Sequence, residues 1–176
     1  MNPGAKALQR IRQKRKICIM AIDKVRDYFR AFGMEGRILE FPVSSATVEL
    51  AAAALGCEPC RIAKSLSFKV DSSPILIIAA GDARIDNKKY RAQFGAKAVM
   101  PHGDEVEALI GHGVGGVCPF AINEGVTVYL DKSLQRFETV FPACGSSNSA
   151  IELTIPQLEK YSGYTAWIDV SKDVEA

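Results

Sequence analysis

The segment from Gly111 to Phe120, GHGVGGVCPF, is the part of the sequence that most directly indicates chemistry. Four of its ten residues are glycine. Successive main-chain N–H groups without side-chain bulk can form a concave site that donates hydrogen bonds to an oxyanion, a carbonyl or a phosphate. A flexible connection between two elements would have the same composition. The segment lacks the Gly-Lys-Ser/Thr ending of a phosphate loop and the strand-to-helix setting of a dinucleotide fingerprint.

Lys64 is the second candidate, because it opens a stretch that alternates with the period of a β-strand. Its face is otherwise apolar, so we expect that face to turn towards the core. The opposite face is the more polar one, and we expect Lys69 on it to be inert. An unpaired buried ammonium is costly, so Lys64 either extends to the strand edge or meets an anionic or polar partner. The inward face comprises Lys64, Leu66, Phe68 and Val70, and the outward face Ala63, Ser65, Ser67 and Lys69.

Other polar residues are expected to have ordinary structural roles. Asp82 and Asp86 flank Arg84 in the stretch GDARID. We expect a polar turn with an ion pair there, and Asp86 as a helix cap. His102 and His112 fall in loops, and each is expected at the surface rather than as a ligand or base.

The five cysteines are an odd number for a chain of this size, which indicates reduced thiols rather than a disulfide framework. Cys57 and Cys60 have CxxC spacing, but no second pair and no nearby histidine accompany them, so a metal or redox site is the least favoured interpretation. Cys118 could act as a nucleophile, yet free cysteines are more often small buried hydrophobic residues. We predict no metal and no cofactor.

Length and charge describe an ordinary globular protein. The chain has 176 residues, 48% of them hydrophobic, and a formal net charge of +2, which predicts one domain and no strong polyanion partner from the total charge. Residues 6–16 nevertheless carry six basic side chains and no acidic one. They form either a solvated segment, as a tail or as the exposed start of a helix, or a weak positively charged binding site for nucleic acid. No run approaches the roughly 18 apolar residues of a membrane span, so we expect a cytoplasmic protein.

The elements predicted from periodicity are short and of both kinds. Helical spacing covers residues 22–32, 48–55, 87–94, 104–110 and 155–161, with Thr47, Asp86, Asp104 and Thr154 at their starts. Strand-like stretches cover 62–70, 75–80, 96–100, 126–130, 138–143, 150–154 and 166–170. We therefore expect a single α/β (α+β) domain with a mixed, partly barrel-like sheet of short strands surrounded by four or five helices.

Four motifs occur together in one order: CRIAKSLSF, GDARIDNKK, GVGGVCPF and CGSSNSAIELT, followed by a closing helix that begins with LTIPQL. In this combination the chain resembles the YbaK/EbsC family, also called the aminoacyl-tRNA synthetase-associated or prolyl-tRNA editing domain. The resemblance covers about residues 20–170. Residues 20–176 would form this domain, and the basic residues 1–19 an extension without a counterpart in the family.

The resemblance implies a trans-editing aminoacyl-tRNA deacylase, which hydrolyses the ester of a mischarged tRNA without metal or covalent intermediate. The tRNA would often be that for proline, with a synthetase as a further partner. Lys64 would hold the terminal nucleotide or the attacking arrangement, and the amides of the glycine loop would polarise the ester carbonyl. The residues implied for that loop are Gly115, Gly116 and Val117. The residues implied for the amino-acid pocket are Phe41, Pro42, Ser45, Asp82, Val117, Cys118, Pro119, Phe120, Asn148 and Ala150.

Three positions depart from the family pattern and bear on amino-acid specificity. Members that remove cysteine have an aspartate where this chain has Ala150, relatives have small residues at Cys118, and a glycine commonly stands at Ala121. The alternative function is a non-catalytic module that binds an aminoacyl end, a nucleotide or another small ligand in the same pocket.

Overall fold

The computed structural model describes residues 21–173, so the predicted basic extension lies outside the described residues. A six-stranded mixed sheet, curled into a half-barrel, forms the centre of the fold, and its strand order is β7-β5-β2-β3-β4-β8. A separate two-stranded ladder pairs β1 with β6. The predicted α/β single domain with a partly barrel-like sheet is confirmed. The strands are β1 (Leu39–Glu40), β2 (Ile62–Val70), β3 (Ser73–Ala80), β4 (Thr127–Asp131), β5 (Thr139–Pro142), β6 (Ser149–Ala150), β7 (Leu153–Thr154) and β8 (Ala166–Ile168).

Five α-helices surround the sheet in the described part of the chain. Most of them begin at a side chain that accepts a hydrogen bond from the first turn and end at a glycine in the left-handed region. Thr154, for example, caps the last helix in a full capping box with Gln157. The helices are α1 (residues 21–30), α2 (Val48–Leu55), α3 (Asn87–Phe94), α4 (Val106–Ile110) and α5 (Ile155–Ser162). None of the helices within residues 21–173 is both long and apolar enough to cross a membrane.

β2 and β3 form the central antiparallel hairpin. Their connection is the pair Asp71 and Ser72, both with positive φ (47° and 68°), as a two-residue hairpin turn requires. Lys64 lies opposite Ala79, and Ser65 lies opposite Ile78. Because of this register, each side chain of β2 lies on the same face of the sheet as its partner in β3.

Both faces of the sheet are covered. Leu76, Ile78 and Ala80 belong to the main core, into which α1 packs Val25 and Phe29. Ile75 and Ile77 belong to a second cluster with Phe68 and Tyr90 of α3. The face of β2 that we expected to be outward therefore lies on the side of the main core, where Ala63 and Ser67 are only 2% and 6% exposed. The expectation was wrong because helices and loops cover that face, and alternation within one strand carries no information about them.

Three smaller expectations also differ from the structure. The predicted strand at residues 96–100 is reduced to an isolated bridge between Lys69 and Val99. Asp104 does not cap α4, whose N-cap position is Glu105 without a side-chain cap hydrogen bond. The predicted strand at 150–154 is interrupted: Ala150 ends β6, and Leu153–Thr154 form β7.

Candidate functional site

A pocket of about 210 Å³ lies against the Ala63–Ser67 face of β2. Three connections form further parts of its wall: the one that leads into α2, the one that precedes α4, and the glycine loop. Residues of β5 and β6 also line it. Apolar side chains dominate the wall, among them Val48, Ala51, Ile62, Val106, Val117 and Phe141. Its polar lining residues are Ser45, Thr47, Lys64, Ser65, Ser67 and Ser149. Among the residues that the structure describes, none of the lining side chains is a carboxylate, a histidine or a thiol.

Lys64 lines this pocket, and its ammonium is fixed at the end of the strand. Nζ donates to the carbonyl oxygen of Gly81 at 2.9 Å and also to that of Ala83. Burial lowers the pKa of Lys64, and the negative charge of Asp82 partly opposes this effect. An ammonium has three N–H donors, so one remains after the two carbonyls are satisfied. Of the two expectations for Lys64, the structure has the polar partner, which consists of two main-chain carbonyl groups.

The glycine loop meets the pocket at Val114, Gly115 and Val117. Gly115 has a φ of +93°, in the region that favours glycine. The N–H of Gly116 donates to Gly113 O at 3.0 Å within the loop, so it is not available to a ligand. Among the hydrogen bonds of the described residues, none uses the N–H of Gly115 or Val117. These two amides, unlike that of Gly116, are therefore open to a ligand.

Gly116 instead permits a close approach of two loops. A Cβ at this position would lie 2.7 Å from the carbonyl carbon of Gly145 and from the nitrogen of Ser146. The Gly145 N–H donates to Gly116 O at 3.1 Å. The residue implied as a catalytic donor therefore connects the glycine loop to the loop that precedes β6.

Cys118, Pro119 and Phe120 are buried and do not line the pocket. Phe120 packs edge-on against Phe29 in the main core, with 4.8 Å between ring centroids. Cys118 is fully buried, and burial raises its pKa to about 12, so the thiolate is absent at neutral pH. The implied pocket roles of these three residues do not fit this arrangement, because the chain turns inward directly after Val117.

His112 is a core residue, so its expected surface position was wrong. The side chain is 0% exposed, and Nε2 donates to the Phe120 carbonyl at 2.7 Å. The Cys118 Sγ lies 3.6 Å from the same nitrogen. No described residue satisfies Nδ1, and burial lowers the pKa of His112. A hydrogen bond to the loop's own backbone stabilises this arrangement, which sequence spacing did not indicate.

The stretch around Phe41 supports the pocket more than it lines it. The N–H of Phe41 donates to Asn148 O, and Nδ2 of Asn148 donates to Phe41 O, both at 2.8 Å. The same two segments are joined again at Ser45, whose N–H donates a hydrogen bond to Ser147 O at 2.6 Å. Of the residues implied here, Ser45 and the buried Ala150 line the pocket, whereas Phe41, Pro42 and Asn148 do not.

Asp82 lies outside the wall and forms an ion pair with Arg136, whose Nη1 is 3.0 Å from Oδ2. The hydrogen bond from Arg136 lowers the pKa of Asp82. Asp82 is therefore paired with a residue of a distant segment, and the ion pair that we expected within the GDARID turn is not among those of the described residues. Asp86 caps α3 as expected, since its Oδ1 accepts from Lys88 and Lys89.

Lys69, which we expected to be inert, forms an ion pair in which its Nζ lies 3.0 Å from both carboxylate oxygens of Glu105. This ion pair ties β2 to the start of α4, beside the pocket residues Met100 and Val106. Cys57 and Cys60 are partly exposed free thiols. Within the described residues, no group of three or more His, Cys, Asp or Glu side chains is arranged to hold a metal ion.

Sequence reasoning missed several lining residues, chiefly Ser65, Ser67 and Phe141. The alternation that put Ser65 and Ser67 together was correct, but that face was taken for the solvent side. Two serines on one face of a strand that is buried on both sides would have indicated a polar pocket wall. Phe141 gave no sequence signal, because it reaches the pocket only through the parallel pairing of β5 with β2.

Comparisons with known proteins identify the family. Residues 43–161 match the aminoacyl-tRNA editing domain. The chain is 54% identical over 157 residues to the "Uncharacterized protein YwhH" of Bacillus subtilis (strain 168), covering 89% of this chain and 100% of that protein. It is 29% identical over 109 residues to a proline–tRNA ligase of Streptococcus equi subsp. equi, covering 61% of this chain but only 17% of the ligase.

The fold is also found in solved structures. A crystal structure described as "a putative trans-editing enzyme for prolyl tRNA synthetase" superposes with a TM-score of 0.77 at 27% identity, covering 87% of this chain and 98% of that one. The protein belongs to the aminoacyl-tRNA editing domain family.

Proposed function

We propose that the protein is an aminoacyl-tRNA deacylase that acts in trans. It hydrolyses the ester between a wrongly attached amino acid and its tRNA, and tRNA for proline is the first candidate. The observation that carries the proposal is that Lys64 and Gly115, from motifs 51 positions apart, line one small apolar pocket. A charged donor and free main-chain amides at such a pocket suit an ester carbonyl next to a ribose and phosphate.

The chemistry assigned to these residues is electrostatic. The N–H groups of Gly115 and Val117 donate to the carbonyl oxygen of the ester and stabilise the negative charge that develops on it. The Lys64 ammonium, held by Gly81 and Ala83, positions the terminal nucleotide. A water oxygen bonds to the carbonyl carbon, the ester C–O bond breaks, and the ribose oxygen leaves with a proton.

The pocket wall provides no general base in the described residues, because Lys64 is its one titratable side chain. A ribose hydroxyl of the tRNA is therefore assigned to assist the attacking water. Cys118 takes no part, since its thiol is buried away from the pocket with a pKa of about 12.

A small pocket suits the need for editing. One methylene contributes only about 1–3 kcal/mol to discrimination, so a synthetase cannot reject a smaller or near-isosteric amino acid by binding alone. A second site that admits only small side chains removes such products. The proposed partners are a mischarged tRNA and the synthetase that releases it, which places the protein in the cytoplasm.

The test is incubation of the purified protein with a panel of aminoacyl-tRNAs, with release of each amino acid followed over time. We expect at least one mischarged tRNA to lose its ester much faster than buffer alone allows. Lys64 is the one titratable side chain of the described pocket wall, and this favours one alternative, a module that only binds the aminoacyl end. Retention of charged tRNA without ester loss across the whole panel would establish that alternative and overturn the deacylase.

A further inference from the structure

Two hydroxyl groups lie on the pocket side of β2. Ser65 and Ser67 are two residues apart and therefore share a face, and both line the pocket with Ala63. Their partners across the hairpin are Ile78 and Leu76, which belong to the main core. Both serines thus occupy an inward position that the neighbouring strand fills with apolar side chains.

The hydroxyl of Ser65 has no partner, unlike the wall hydroxyls of Ser45, Thr47 and Ser149. Ser65 Oγ is buried and forms no hydrogen bond with any described residue. By contrast, Thr47 Oγ1 accepts from Leu50 N at 3.2 Å, and Ser149 Oγ accepts from Ser146 Oγ at 2.7 Å. Ser45 Oγ donates to Ser147 O at 3.3 Å. A buried polar group left unsatisfied is destabilising, so a ligand that satisfies Ser65 gains affinity.

We propose that Ser65, supported by Ser67, selects a hydroxyl-bearing aminoacyl group, seryl or threonyl, over an alanyl group of similar size. This inference rests on the proposed function. A serine hydroxyl offers one donor and two acceptor sites, which complement a neutral substrate hydroxyl. Because Ser65 Oγ is buried, its contact with such a group requires rotation about χ1 to another staggered rotamer.

The rest of the wall agrees with a neutral side chain. None of the described lining residues is acidic, and the Lys64 ammonium is already bonded to two carbonyls. The volume of about 210 Å³ suits a small group, and the apolar wall accommodates the extra methyl group of threonine. A site that hydrogen-bonds a substrate hydroxyl discriminates against the analogue without it, because its own polar group then stays unpaired.

The test compares kcat/KM for seryl-, threonyl-, cysteinyl- and alanyl-tRNA of one tRNA species, in the wild type and in Ser65→Ala, Ser67→Ala and the double variant. We expect the wild type to favour seryl- or threonyl- over alanyl-tRNA. Ser65→Ala should lower this ratio about 2- to 10-fold, as the loss of one neutral hydrogen bond does. Ser73→Ala, an exposed serine of the adjacent strand, is the matched control and should keep the ratio. Thermal unfolding of each variant verifies that it is folded.

Preference for alanyl- or cysteinyl-tRNA, or an unchanged ratio in Ser65→Ala and the double variant, overturns this inference and leaves the deacylase intact. If no ester is hydrolysed, the deacylase is overturned, and binding of stable 3′-amide analogues of seryl- and alanyl-adenosine decides the inference by calorimetry. Tighter binding of the seryl amide that is lost in Ser65→Ala supports it. Equal binding of the two amides overturns it.

Discussion

The Nζ atom of Lys64 lies 2.9 Å from the carbonyl oxygen of Gly81. Gly81 directly follows β3, and no other residue fits there, because a Cβ would lie 2.0 Å from Pro59 O. The turn that holds the ammonium is therefore itself packed against the segment that leads into β2. This contact fixes the position of the one titratable side chain in the described pocket wall.

Lys64→Ala should abolish ester hydrolysis while the protein stays folded. The substitution removes the positive charge at the pocket but leaves the ladder between β2 and β3 intact. The measurement is deacylation of whichever mischarged tRNA the wild type hydrolyses, with circular dichroism to verify folding. Lys132→Ala, at an exposed lysine outside the wall, is the control and should keep its activity. Normal activity in a folded Lys64→Ala protein would remove this residue from the site.

Gly116→Ala should destabilise the protein, whereas Gly113→Ala in the same loop should be tolerated. A Cβ at Gly116 meets the backbone of Gly145 and Ser146 at 2.7 Å, but a Cβ at Gly113 meets nothing within 4 Å. Overpacking of this kind costs about 1–3 kcal/mol. Urea denaturation of the two variants measures the difference. Equal free energies of unfolding would show that the two loops can separate without cost.

Cys118→Ala should retain turnover and lose about 1 kcal/mol of stability, as is usual for a small truncation in the core. The reason is that the thiol is fully buried and its pKa is about 12. Steady-state deacylation and urea denaturation measure the two effects. In the native wild type, iodoacetamide should modify the partly exposed Cys57 and Cys60 before Cys118 and Cys144. Complete loss of turnover in a folded Cys118→Ala protein would favour a thiol mechanism.

Ala121→Gly should stabilise the protein by about 1 kcal/mol. Ala121 has a φ of +50°, and the left-handed region costs a non-glycine residue about 1–2 kcal/mol, of which the greater entropy of an unfolded glycine offsets a part. Ala92→Gly, within α3 and exposed, is the opposite control and should lower stability. Thermal and urea denaturation measure both changes. A lower stability of Ala121→Gly would mean that contacts of the methyl group outweigh the strain.

The free energy of unfolding should fall as the pH is lowered through about 6.5, the ordinary pKa of histidine. Burial lowers the pKa of His112 in the folded state, so the unfolded chain binds the proton first and stability rises with pH across this range. Urea denaturation at pH 5 and pH 7.5 measures the change. It should be smaller in His112→Gln, and His102→Gln, at an exposed loop position, should behave like the wild type. An equal change in His112→Gln would assign the pH dependence to other groups.

Much of the local structure could be predicted because it depends on local chemistry. Thr47, Asp86 and Thr154 cap their helices as expected, since a side-chain oxygen next to the first turn satisfies N–H groups that lack partners. The alternation of β2 was also correct, because the side-chain period of a strand is fixed by its backbone. The start of α4 was less predictable, because Glu105 instead pairs with Lys69 from another strand.

The sequence by itself determined most of the elements and the family resemblance, and that resemblance implied that Lys64 and the glycine loop lie at one pocket. The tertiary structure decided which side of the sheet holds the pocket, because α1 and three connections cover the Ser65 face and no pattern within β2 encodes them. It also decided that Gly115 and Val117, rather than Gly116, offer free amides, since Gly116 is bonded within its loop and packed against Gly145. Cys118 and His112 are core residues for the same reason: their positions depend on contacts between distant segments, which spacing along the chain does not specify.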